Sequence, residues 1–338
     1  MILLGIETSC DETSAAVVAD GRRVLSSVVA SQIAIHHPFG GVVPELASRK
    51  HLESIAWVTS EAIRQSGISE NELDAVAATQ GPGLVGALLV GFSFAKACAY
   101  GWDIPCIGVD HLEGHIHSLF LEEDVPDFPF VALLVSGGHT GIYDVVSHTS
   151  CELMGQTRDD AVGEAFDKVA KMLGLGYPGG VVIERMASEG HPERIHFPRP
   201  CLDTMDFDFS FSGLKSAVRR YIELHATAAV IPDITAGFQE AATDVLTVKL
   251  IQAALSRNRQ RVAVVGGVAA NANLRQKITA AAVEKGVQVY LPSVKYCGDN
   301  AAMIAASGFH HYPEDWNKIV SLSQDVYSKG CRWQAGHS

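Results

Sequence analysis

One pattern occurs twice in this chain, and it leaves few folds open. Residues 2–6, 13–18 and 24–30 read as three consecutive short strands separated by polar turns, with Asp20-Gly21 as a hairpin signal. Residues 130–135, 140–146 and 151–154 repeat that design. Each first strand runs into a polar turn, Glu7-Thr8-Ser9-Cys10-Asp11-Glu12-Thr13 in one half and Ser136-Gly137-Gly138-His139-Thr140 in the other. The halves echo again further on: an apolar run at 75–78 enters Gly81-Pro82-Gly83 and then an apolar helix, and 262–265 enters Gly266-Gly267 in the same way. Unbroken apolar runs of this length suit strands covered on both faces. Helical spacing predicts connectors over 44–65, 84–100, 161–173, 213–225, 233–255, 273–285 and 300–309, with Gly67, Gly174 and Gly286 placed to end three of them. The pattern predicts two related α/β lobes with a cleft between them and a boundary near residues 110–127.

The 338 residues suffice for two domains of about 150 each. With 47% hydrophobic and 19% charged residues, there is material for two cores. The longest apolar stretch, 84–95, is broken by Gly86, Gly91 and Ser93, short of the ~20 residues that cross a bilayer, so no membrane span is expected. No basic region precedes the first apolar run, which predicts no signal peptide. Seven cysteines without a Cys-x-x-Cys pair fit the reduced thiols of a cytoplasm. A formal charge of −12 argues against a chain that coats nucleic acid by itself, because that task wants a basic surface. Local clusters remain: Arg185, Arg194, Arg199, Lys215, Arg219 and Arg220, then Arg257, Arg259 and Arg261. They read as solvated helix faces or as a patch for phosphates.

Three separated stretches carry chemistry. On a helix, His111 and His115 of His111-Leu112-Glu113-Gly114-His115 share a face one turn apart, so both imidazoles can reach one ion. Asp299, in Gly298-Asp299-Asn300, offers a carboxylate that completes such a site or caps the helix that follows. His117 shows that the segment is also simply rich in histidine. The zinc-protease pattern His-Glu-x-x-His is absent, since Leu112 stands where its general base would be. Three polar or glycine-rich loops, 8–13, 136–140 and 266–271, each follow an apolar strand and can present backbone amides to phosphate, or merely turn the chain. Residues 207–215 alternate aromatic and polar side chains, as a strand edge or a base-stacking surface would.

These residues closely resemble the bacterial TsaD family. The likeness runs from residues 6–13 through Gly40-Gly41-Val42-Val43-Pro44-Glu45-Leu46-Ala47-Ser48-Arg49 to Cys297-Gly298-Asp299-Asn300-Ala301-Ala302-Met303, and includes Gly81-Pro82-Gly83-Leu84 and residues 111–115, 135–140, 163–168, 208–215 and 266–271. It implies an actin, sugar-kinase and Hsp70-like (ASKHA) fold of duplicated βββαβαβα-type lobes, with residues 1–110 as the first, which 325–338 would complete, and 111–324 as the second. It implies transfer of threonylcarbamoyl from threonylcarbamoyl-AMP to N6 of the adenosine 3′ of the anticodon, in transfer RNAs reading codons that begin with A, with release of AMP.

The resemblance assigns His111, His115 and Asp299 to one divalent metal ion, with Fe2+, Zn2+ or Mn2+ suited to that donor set. It places Leu134, Val135, Ser136, Gly137, Gly138, Asp167, Gly180 and Asn271 around the adenylate. The general base stays unassigned, with Asp11 and Glu12 as candidates by loop position. A TsaB-like pseudo-enzyme and a TsaE-like ATPase are the implied protein partners, beside tRNA, in the cytoplasm. Leu134 stands where archaeal and eukaryotic relatives carry a tyrosine, as is common in bacterial members, and the chain departs from frequent family choices at Val181 and Gly298. A metal-dependent peptidase and a non-catalytic nucleotide-binding scaffold are the alternative readings.

Overall fold

The computed structural model describes residues 1–202, 206–225, 230–313, 317 and 322–330. The chain begins with β1 (Ile2–Glu7), β2 (Glu12–Ala19), β3 (Arg23–Ser31), α1 (Ile33–His36), α2 (Pro44–Ser66), β4 (Ala75–Gly81), α3 (Val85–Trp102), β5 (Cys106–Asp110) and α4 (His111–His117). It continues with β6 (Phe130–Val135), β7 (Thr140–Ser147), β8 (Ser150–Gln156), α5 (Val162–Met172), α6 (Gly179–Ala187), α7 (Ser212–Leu224) and α8 (Ile231–Ser256). Then come β9 (Arg261–Val265), α9 (Ala272–Lys285), β10 (Gln288–Tyr290) and α10 (Ala301–His310).

These elements sort into two compact units, one made of 1–125, 148–150 and the described part of 298–338, the other of 126–147 and 151–297. The first unit holds a sheet ordered β3-β2-β1-β4-β5. Its β1–β2 and β2–β3 pairs are antiparallel, while β1–β4 and β4–β5 are parallel. The second sheet, β8-β7-β6-β9-β10, repeats that order with an antiparallel β6–β7 pair and parallel β6–β9 and β9–β10 pairs. Strand β6 therefore stands in its sheet where β1 stands in its own. The doubled sequence pattern is a doubled topology.

Each sheet is covered by apolar helix faces. In the first unit Leu4, Ile6, Val17, Val76 and Phe92 join one core, and in the second Val131, Leu133, Val264, Phe166 and Phe238 join another. Side chains of this size contribute roughly 1.5–3 kcal/mol each when fully buried. Helix α3 is the one described helix long and apolar enough to cross a membrane by composition and length, and here it packs on β4 and α2.

Helix α10 explains why the first unit is discontinuous in sequence. It packs on β1, β2, β4 and α4, and a Cβ on Gly5 would lie 2.1 Å from the Ala301 carbonyl oxygen, so only glycine allows that approach. The compact units consequently divide the chain elsewhere than at 110/111 and 324/325, because α4 and α10 both return to the first sheet. Residues 325–327 also join it: Gln80 Nε2 donates to the Asp325 carbonyl at 2.6 Å, and Tyr327 N donates to that of Gln80 at 3.0 Å. The rest of that tail, 331–338, lies outside the described residues. Helix α6 was not anticipated, since Tyr177-Pro178-Gly179-Gly180 carries the signature of a turn.

Candidate functional site

In the first unit the two histidines and the distant acid meet. Asp110 caps α4 by accepting from Leu112 N at 2.9 Å and Glu113 N at 3.4 Å, and Tyr327 Oη donates to its other oxygen at 2.6 Å. That cap fixes the first turn, from which His111 and His115 project with ring centroids 4.7 Å apart. Asp299 arrives just ahead of α10. The cap of α10 is Asn300, which accepts from Met303 N at 3.0 Å, so the carboxylate of Asp299 is turned to the imidazoles instead. Asp299 Oδ1 lies 3.2 Å from His115 Nε2 and 3.7 Å from His111 Nε2, and the three donor atoms fall within 4.8 Å of one another.

The chemistry of this donor set fits a divalent cation. His115 is fully buried, and neither ring nitrogen has a hydrogen bond, since the approach of Asp299 to Nε2 is close but lacks hydrogen-bond geometry. Buried polar atoms in that condition cost free energy unless something satisfies them, and an ion at Nε2 would do so. His111 is oriented from behind. Its Nδ1 lies 3.0 Å from Glu7 Oε2 and 3.2 Å from Ser9 Oγ, leaving Nε2 on the Asp299 side. A carboxylate behind a ligating imidazole fixes its tautomer and raises its basicity. Glu7 is itself fully buried and held by Thr79 Oγ1 at 2.5 Å and by Ser9 N.

The charges follow from these contacts. Burial opposes charge on His111, but Glu7 and Asp299 outweigh it and raise its pKa to about 9. Burial likewise works against the Glu7 carboxylate, and His111 outweighs it, holding Glu7 below the usual range. At the start of β2, burial first and then Asp11 and Asp299 push Glu12 up to about 9. The fixed negative charges around the imidazoles are the partners a cation needs.

The second unit gathers the glycine loops. After β6, Ser136 N donates to the His139 carbonyl at 2.8 Å and closes the Ser136-Gly137-Gly138 turn. Gly266 has φ +95°, and a Cβ there would lie 2.4 Å from the Val135 carbonyl oxygen, so the loop after β9 lies directly on the end of β6. Asp167 Oδ1 accepts from Gly179 N at 2.6 Å, which ties α5 to the start of α6, next to Gly180. Asn271 caps α9 by accepting from Leu274 N at 2.9 Å, and its Nδ2 donates to Gln239 Oε1 at 2.8 Å. Leu134 and Val135 are buried strand residues, whereas Gly137 and Gly138 have open space where a side chain would be.

Other candidates take structural roles. Thr8 Oγ1 donates to the Ala87 carbonyl and Thr13 Oγ1 contacts His51 Nδ1, so those hydroxyls of the first loop bind protein. Phe209 and Phe211 are completely buried, which removes the base-stacking reading of 207–215. Arg194, Arg199, Lys215, Arg259 and Arg261 pair with Asp233, Asp244, Asp160, Asp144 and Asp127, so much of both basic clusters is neutralised locally. Glu113 binds Ser307 Oγ at 2.8 Å and His311 Nε2 at 2.6 Å, away from the place of a protease base. Glu7 is the residue that sequence reasoning missed. A carboxylate ending an otherwise apolar strand was its only local signal.

Two units with the same mixed-sheet order, one carrying a His-His-Asp donor set and the other glycine loops at strand ends, define an ASKHA-class protein. Solved structures agree on that fold: T. kodakarensis HypF gives a TM-score of 0.62 at 14% identity over 95% of this chain and 47% of that one. Component A of the Acidaminococcus fermentans (R)-2-hydroxyglutaryl-CoA dehydratase gives 0.54 at 14% over 92% and 99%. The family model for TsaD, tRNA N6-adenosine threonylcarbamoyltransferase, matches residues 23–306. Proteins of that name from Desulforapulum autotrophicum and Geotalea uraniireducens are 58% and 54% identical, over 97% and 95% of this chain and 99% and 93% of their own. The chain belongs to the TsaD family and is a transferase.

Proposed function

We propose that this enzyme transfers threonylcarbamoyl from threonylcarbamoyl-AMP to N6 of the adenosine 3′ of the anticodon, in tRNAs that read codons beginning with A, and releases AMP. The observation that carries the reading is the meeting of His111, His115 and Asp299, from distant parts of the sequence, around one point. Their two imidazole nitrogens and one carboxylate oxygen would hold a divalent ion, iron first, with zinc or manganese compatible with the same donors. When bound, that ion supplies Lewis-acid polarisation and orientation of the carbamoyl carbonyl. Glu7 holds the His111 ring in place for this task.

In the reaction the N6–carbon bond forms, the bond from that carbon to the phosphate oxygen of AMP breaks, and N6 gives up a proton. Asp11 and Glu12, beside the turn after β1, are the candidate carboxylates to accept it. Backbone amides of Gly137 and Gly138, in the turn that Ser136 closes after Leu134 and Val135, would bind the adenylate phosphate, with Asp167, Gly180 and Asn271 positioning the nucleoside. A TsaB-like partner fits the first unit, where Leu52 and Trp57 of α2 and Val85, Leu89 and Tyr100 of α3 expose apolar surface. A TsaE-like ATPase would serve the same assembly in the cytoplasm, where tRNA is found.

The test is mass analysis of nucleosides from unmodified tRNA incubated with protein, partners and threonylcarbamoyl-AMP. Threonylcarbamoyladenosine should form with the wild type and fail with His115→Ala. Unmodified adenosine under all conditions, or proteolysis lost in His111→Ala, would overturn the reading.

A further inference from the structure

A second group of imidazoles lies in the first unit, apart from the site above. His117 ends α4, His310 ends α10, and His148 stands in the turn between β7 and β8 that belongs to this unit. One ring nitrogen from each falls within 4.8 Å of the others. Residues two apart on a helix face nearly opposite ways, so His117 looks away from His115 toward a separate place. We propose that His117, His148 and His310 form a second metal site, selective for a borderline divalent cation such as Zn2+, which ties α4, α10 and the β7–β8 turn together.

The tautomer of His117 carries the argument. Its Nδ1 donates to the Glu113 carbonyl at 3.0 Å, which leaves Nε2 as the lone-pair nitrogen. That Nε2 is buried with no hydrogen-bond partner, in a residue with no solvent exposure. A backbone carbonyl on one nitrogen with the lone pair of the other directed inward is the arrangement that ligating histidines adopt. The rings of His310 and His148 lie 5.3 and 5.6 Å from that of His117 by centroid. Burial lowers the pKa of both, that of His310 to about 4, which keeps their lone pairs unprotonated. Three imidazoles without a carboxylate suit zinc, with a water completing the tetrahedron, and do not suit magnesium or calcium.

The competing explanation is a plain aromatic cluster, since His148 and His310 stack at 3.6 Å with 9° between their planes and Phe120 packs 4.5 Å from His148. A stacked pair offers faces, not nitrogens, to its neighbour. An ion must open the stack, and that difference is measurable.

The experiment is calorimetric Zn2+ titration of the full chain, with metal counted after dialysis. The wild type should hold two ions, His115→Ala one, His148→Gln one, His310→Gln one, and the His115→Ala/His148→Gln double variant none. Co2+ added to His115→Ala reads the ligand set without altering the three rings, and visible bands of tetrahedral strength are expected. Zn2+ should also raise the melting temperature of His115→Ala but not of the double variant. A single wild-type ion that is lost in His115→Ala, two ions in His148→Gln or His310→Gln, or a Co2+ complex without tetrahedral bands would establish the aromatic cluster instead. These outcomes do not depend on transferase activity.

Discussion

The two units share one strand order, yet corresponding strand ends carry different chemistry. Strand β1 ends in Glu7, a buried carboxylate behind His111, and its sheet brings two imidazoles and Asp299 to one point. Strand β6 ends in Val135 and a Ser-Gly-Gly turn, where exposed backbone replaces side-chain charge. A duplicated scaffold has thus become a side that concentrates ionisable groups and a side that offers amides. The fold specifies where strands end; the residues at those ends specify what is bound.

Removing the charged side should do the most damage. His115→Ala is expected to cut transfer by several kcal/mol, roughly two to three orders of magnitude, because it deletes a donor that no neighbour replaces. Single-turnover rates check this, and a rate within a few fold of wild type would mean that the imidazole pair is not where the reaction is assisted. One step further back, Glu7→Gln should weaken metal affinity by about 10–100-fold while leaving the donors in place. Equal affinities in a chelator competition would strip Glu7 of its orienting role.

The backbone side should respond through conformation. Gly266→Ala forces a side chain into positive φ against the Val135 carbonyl and should cost about 1–3 kcal/mol of stability, read by urea unfolding, with weaker adenylate binding and unchanged metal content. Loss of metal in that variant would show that the two chemistries are not separable. The smallest effect belongs to Asn271→Ala, which removes the cap of α9 and should cost about 1 kcal/mol. An unchanged unfolding midpoint would leave the cap without energetic weight.

Much of this contrast was legible in the amino-acid order. Apolar runs closed by Ser-Gly-Gly or Gly-Gly announce strand ends, and His111 with His115 announces a shared helix face, because both signals are local. The return of α10 to the first sheet was not legible: its contacts join Asp299 to residues almost two hundred positions earlier, and nothing near Asp299 states them. Glu7 escaped notice for the same reason, since its partner His111 is 104 residues away. Asp299 also read as a cap candidate until Asn300 took that role. Helix α6 was hidden because its two opening glycines look like a turn, whereas Gly179 serves close packing on α5.

The central claim is that His111, His115 and Asp299 act as one metal-holding unit required for transfer. The most direct measurement is single-turnover modification of unmodified tRNA by Asp299→Ala, with catalytic-site metal counted in the same sample and cooperative unfolding verified. Joint loss of that ion and of threonylcarbamoyladenosine is the predicted result. Full transfer by a chain that has lost the ion would contradict the account.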